Sequence, residues 1–296
     1  PEEEAQTVKA LDQNLRNIAS KQDEDIVYLN HGKIDLKHII AENKFIHDYA
    51  ESYWAEFQDK WTPDYFDTID SEYKKFKRDA QKEVNYLVKE FECKKSASNY
   101  ARATTSRTGV LDMSKLHTYK YNEDLFKKVT VIPDGKNHGL IFVLDWSGSM
   151  AHVLQNTIKQ LYNLVWFCRK VNIPYDVYAF TNEWHYSSSE IPYIEKQKDT
   201  IHISDDFAMM NLLTSKVNTK ECERQLRNLW RIAWSYSNGW GIAPPRMGLS
   251  GTPLNEAILT LHEIIPDFKK RFNVEKVNCV ILTDGEANPC SRLAVV

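Results

Sequence analysis

Residues 139–144, Gly-Leu-Ile-Phe-Val-Leu, form a continuous apolar run that ends directly in Asp145-Trp146-Ser147-Gly148-Ser149-Met150. A short run that is apolar at every position fits a strand buried on both faces of a sheet. The segment from Val153 to Cys168 follows with apolar residues at helical spacing: Val153, Leu154, Ile158, Leu161, Leu164 and Val165. Tyr175 to Phe180 reads as a second strand, Leu254 to Ile265 as a second helix and Val277 to Leu282 as a third strand. Strands alternating with helices imply a parallel-rich sheet covered on both faces, an α/β, Rossmann-like fold.

The chemistry gathers at the strand ends. Asp145, Ser147 and Ser149 follow the first strand at positions i, i+2 and i+4, so a turning loop can aim three oxygen groups at one place. Gly148 is expected to permit the tight backbone path. Open α/β sheets bind ligands at this carboxyl edge. Thr252, in Gly251-Thr252-Pro253, precedes a helix, and Asp284, in Thr283-Asp284-Gly285, follows the third strand. Two carboxylates and three hydroxyls make a set of hard oxygen donors, suited to Mg²⁺ first and to Mn²⁺ or Ca²⁺ next. Three of the five groups are neutral, which leaves a bound ion positive character and an affinity for an acidic residue of a partner. Each fragment alone has a plain structural explanation, a capped helix start or a turn. Their order along the chain, each at the correct end of its element, makes them a site.

Catalytic signatures are missing. No phosphate-binding GxxxxGK[ST] loop occurs, so ATP hydrolysis is not expected of this chain. His262-Glu263 is followed at position 266 by Pro266, so a zinc-protease motif fails. Ser147 lacks the flanking glycines of a nucleophile elbow. A net charge of −3 argues against a nucleic-acid binder, and no apolar run reaches the roughly 18 residues of a membrane span. The five cysteines, Cys93, Cys168, Cys222, Cys279 and Cys290, form no CxxC pair and read as reduced thiols of a cytoplasmic protein. The acidic start, without an apolar core, is not a signal peptide.

The first 110 residues look mainly helical. Val8, Leu11, Leu15 and Ile18 mark one helix, with a break near Asn30-His31-Gly32. Ile39, Ile40, Ile46, Tyr49, Tyr53 and Trp54 mark a second, and Thr62-Pro63-Asp64 starts a third that runs to Phe91. Residues 94–109, with Lys94, Lys95, Arg102 and Arg107 among small polar residues, read as a linker or a basic partner-facing loop. A connecting segment, 111–137, carries a turn at Pro133-Asp134-Gly135.

The Asp145-x-Ser147-x-Ser149, Thr252 and Asp284 set resembles the metal-ion-dependent adhesion site of von Willebrand A domains. Within that superfamily the chain is most similar to the CobT subunit of cobalt chelatases and its relatives in tailed phages. The resemblance rests on Thr108-Gly109-Val110-Leu111-Asp112, Lys115-Leu116-His117, Leu144 to Met150, and Leu249 to Ala257. It covers residues 138–296 for the A domain and reaches back to residue 93 for the CobT-like part. It implies a divalent-metal-dependent interaction module that works beside a CobS-like AAA+ ATPase and couples it to a client protein, in the cytoplasm, or the host cytoplasm if phage-encoded. The alternatives are a subunit of a cobalt or magnesium chelatase-type enzyme and a metal-dependent hydrolase. An adhesive, extracellular role is disfavoured by the unpaired cysteines. Two departures stand out. The A domain is expected to be C-terminally incomplete, and the stretch 182–250, with Trp184, Trp230, Trp234 and Trp240, reads as an insertion with its own small core or as a partner-recognition surface.

Overall fold

The computed structural model describes residues 30–31, 34–57, 65–102, 104–131, 137–186, 200–238, 243–289 and 291–292. The helix read from Val8 to Ile18, the Thr62-Pro63-Asp64 start, the Pro133-Asp134-Gly135 turn, Trp240 and Cys290 lie outside the described residues. The strands are β1 (Asn30–His31), β2 (Ile40–Ala41), β3 (Thr104–Leu111), β4 (Phe126–Val131), β5 (His138–Asp145), β6 (Tyr175–Thr181), β7 (Thr200–His202), β8 (Ala208–Thr214), β9 (Lys276–Leu282) and β10 (Ser291–Arg292). The helices are α1 (Leu36–Ile39), α2 (Asn43–Phe57), α3 (Tyr65–Arg102), α4 (Leu154–Lys170), α5 (Glu183–Tyr186), α6 (Thr219–Ser237) and α7 (Leu254–Phe272).

Five strands form the central sheet in the order β2-β8-β6-β5-β9. β5 runs parallel to both β6 and β9, β8 is antiparallel to β6, and β2 is parallel to β8. The chain is therefore α/β, with a mostly parallel sheet flanked by helices. Alternation along β5 explains the continuous apolar run. Phe142 and Leu144 enter the core beneath α2, α3, α4 and α6, while Ile141 and Val143 enter the core beneath α7. The second core is filled by Ala257, Leu261, Ile264 and Phe268 from one stripe of α7. Gly139, at the start of β5, lets Phe268 approach: a Cβ there would lie 2.4 Å from its ring.

Three expectations change. The helix read from Ile39 onward is split, because Ile40–Ala41 pair with Met209–Met210 at the sheet edge and the helix begins at Asn43. Residues 94–102 are not a linker; they continue α3, and Lys, Ala and Arg are good helix formers. Residues 104–109 open an antiparallel hairpin, β3–β4, with Gly109 at φ +75°. The described residues of the stretch 182–250 pack into the cores already described rather than into one of their own. They supply β8 to the sheet and α6 to the main core, where Trp184 and Trp230 are buried. Among the described residues no helix is long and apolar enough to cross a membrane, and Cys93, Cys168, Cys222 and Cys279 are free thiols.

Candidate metal centre

The sheet registers bring the site together. β9 lies beside β5 with Leu282 opposite Leu144, so the next residues along, Thr283 and Asp145, stand side by side at the carboxyl edge. The β5 loop continues through Ser147 into a 3₁₀ turn, Gly148–His152, which aims Ser149 back over the strand end. Gly148 opens this 3₁₀ turn without a left-handed φ.

The third loop arrives from the side. Gly148 N donates to Ser250 O at 2.8 Å and Ser250 N donates to Trp146 O at 3.2 Å, a short bridge that lays residue 250 along residue 147. Trp146, fully buried, donates from its indole nitrogen to Met247 O at 2.8 Å. Tyr236 donates to the same carbonyl at 2.9 Å. Thr252 O then accepts from Asn288 N at 2.9 Å, which ties the Thr252 loop to the chain beyond Asp284. Gly251 lies close under the Asn288 side chain, where a Cβ would come within 2.8 Å of its Nδ2 and push that amide aside.

The candidate donors meet at this junction. Ser149 Oγ donates to Asp284 Oδ1 at 2.8 Å across 135 positions of sequence, and Ser147 Oγ lies 3.0 Å from Ser149 Oγ. Asp145 Oδ1 accepts from Ser147 N at 3.0 Å, and its Oδ2 accepts from Thr283 Oγ1 at 2.6 Å. Thr252 Oγ1 and Ser149 Oγ lie 3.7 and 4.0 Å from the place a Cβ on Gly285 would take, so both hydroxyls border the same small space. Asp145 and Ser147 are buried at 0% and 2% exposure, whereas Ser149 and Asp284 are exposed. The cluster thus has a buried floor and an open side. All five residues singled out in the sequence are brought to this edge. Thr283 was passed over, although its place beside Asp284 at a strand end was a usable signal.

Among the described residues no group of three or more His, Cys, Asp and Glu is placed to hold a metal ion. The donors here have a different composition, two carboxylates with three hydroxyls. Their spacing suits a small ion. Oxygens about 2.1 Å from Mg²⁺ in an octahedron lie about 3.0 Å from their neighbours, whereas Ca²⁺ spreads them further. The separations of 2.8 and 3.0 Å match the smaller ion, and they are also hydrogen-bond lengths, which is how the hydroxyls are held in this structure. One turn into α7, Glu256 is 4% exposed; burial pushes its carboxyl above the usual range, and the charge of Asp206 adds to this. Comparison with protein-family models, with characterised proteins and with solved structures finds no match for this chain, so the geometry of the three loops carries the functional reading.

Proposed function

We propose that this chain is a divalent-cation-dependent protein-interaction module of the von Willebrand A type, working beside a CobS-like AAA+ ATPase and coupling it to a client protein. The observation that carries the reading is the meeting of Ser149 and Asp284, 2.8 Å apart, at one sheet edge with Ser147, Asp145 and Thr252 around them. Asp145, Ser147, Ser149, Thr252 and Asp284 would hold Mg²⁺, with Mn²⁺ as its closest substitute in size and hardness. When bound, the ion supplies a positive centre for a carboxylate of the partner. The chain's own residues do the rest. Asp145 and Ser147 close the floor, while Ser149 and Asp284 leave the outer side accessible. Val153 and Ile258, 43% and 50% exposed near the starts of α4 and α7, offer apolar contact to a docking partner. With no phosphate loop in this sequence, nucleotide hydrolysis falls to the ATPase.

The test is copurification with a CobS-type AAA+ ring protein, in Mg²⁺ and then in EDTA. A complex is expected in Mg²⁺ only, and Asp145→Ala should abolish it. Asp145→Asn, which keeps the side-chain volume, guards against loss by misfolding. Equal complex formation in EDTA overturns the reading. Metal-dependent hydrolysis of peptide, ester or phosphate substrates that Asp284→Ala removes would favour the enzyme alternative.

A further inference from the structure

We infer that Thr283 is a positioning residue for this cation site, an inference that rests on the metal-site reading above. Two hydroxyl-to-carboxylate bonds brace the β5 and β9 loops in opposite directions. Ser149 of the first loop donates to Asp284 of the second, and Thr283 of the second donates to Asp145 of the first. The two bonds differ in what a cation would do to them. Ser149 and Asp284 are both candidate ligands, so their contact is rearranged when oxygen lone pairs turn to an ion. Thr283 is not a candidate ligand, and its bond to Asp145 can stand with or without one.

The geometry singles out that bond. Asp145 is wholly buried, and a buried carboxylate needs donors for both oxygens. Ser147 N serves Oδ1 at 3.0 Å and Thr283 Oγ1 serves Oδ2 at 2.6 Å. Gly285 N donates to Thr283 Oγ1 at 3.3 Å, which occupies a lone pair and turns the hydroxyl hydrogen toward Asp145. The alternative acceptor, Gly285 O at 3.4 Å, is the poorer one. The hydroxyl therefore fixes the plane of the Asp145 carboxylate before any ion arrives. Outer-shell partners of this kind typically change metal affinity by about 10–100-fold when removed.

The experiment measures Mn²⁺ binding to the full chain from the loss of the free-ion electron paramagnetic resonance signal. Wild type, Thr283→Val, Thr283→Ser and Asp145→Asn are compared. Thr283→Val should weaken binding at least about tenfold, and Thr283→Ser, which restores a hydroxyl, should recover most of it. Thr283→Val and Asp145→Asn disturb the donors of a buried carboxylate and should melt below wild type in EDTA, with Thr283→Ser close to it, so binding is measured at a temperature where every variant is fully folded. Binding by Thr283→Val equal to wild type, with Asp145→Asn impaired, overturns the positioning role and leaves the cation site standing. Thr283→Ser as weak as Thr283→Val also overturns it. No saturable binding by wild type, or equal binding by Asp145→Asn, overturns the site and this inference together.

Discussion

Trp146 sits between two candidate ligands and faces the other way. Asp145 and Ser147 look toward the loop junction, while the indole of Trp146 is wholly buried and its nitrogen holds Met247 O at 2.8 Å. One residue thus joins the Asp145 loop to the chain that leads through Ser250 to Thr252. Trp146→Phe removes that donor and part of the ring while keeping an aromatic body. Tyr236 still serves Met247 O, so the carbonyl is not orphaned. The expected cost is about 1–3 kcal/mol, read as a lower urea midpoint at unchanged slope. A midpoint equal to wild type would show that the indole bond carries no weight. The meeting of the five candidate residues at one sheet edge was legible in the sequence because each follows a strand or precedes a helix at that edge. The partners of Trp146 and Thr283 were not, because they depend on which loop and strand lie alongside in the folded sheet, although the place of Thr283 beside Asp284 was itself a signal.

At the scale of elements, α2 attaches to the sheet through a buried histidine. His47, 1% exposed, donates from Nε2 to Leu212 O at 2.8 Å, and Asn43 donates to the same carbonyl at 3.0 Å. Burial lowers the imidazole from its ordinary 6.5 to about 4, against the opposing effect of the Leu212 bond. The folded-state value is depressed, so between pH 6.5 and 4 the unfolded chain takes up a proton that the folded chain refuses. Stability is full above pH 6.5 and falls as the pH drops through this window. From pH 7 to pH 5 the loss from this group is on the order of 2 kcal/mol. Urea unfolding at both pH values should show that much more loss in wild type than in His47→Gln. Equal losses would mean that His47 does not titrate this way. The strand beside it was hidden in the sequence. Ala208–Thr214 reads Ala-Met-Met-Asn-Leu-Leu-Thr, with little β-branching, and it becomes a strand because β6 and β2 lie on either side of it. β5 and β6 were visible because burial on both faces leaves a largely apolar run, and β9, a partly exposed edge strand, was visible from its Val277, Cys279, Val280, Ile281 and Leu282.

Over the whole molecule, the N-terminal helices and the sheet share one core. Trp230 of α6 lies 5.2 Å from the Phe76 ring, 5.7 Å from Tyr73 and 6.3 Å from Tyr162, which joins α3, α4 and α6 around one indole. Ion pairs follow the same seam. Arg231 grips Asp70 with two bonds of 2.7 and 2.8 Å, and its guanidinium lies 4.3 Å over the Phe66 ring. Arg224 grips Glu51 with bonds of 2.8 and 2.9 Å. These pairs are part-buried and bidentate, so they are worth more than an exposed contact. A core shared in this way should not melt in pieces. Far-ultraviolet circular dichroism, which weights the long α3, and tryptophan fluorescence, which weights the core, should give one coincident unfolding transition. Trp230→Ala opens a cavity beneath three helices and should lower both transitions together, by about 3–5 kcal/mol. Two separated transitions, with only one moved by Trp230→Ala, would mean that α3 folds apart from the sheet.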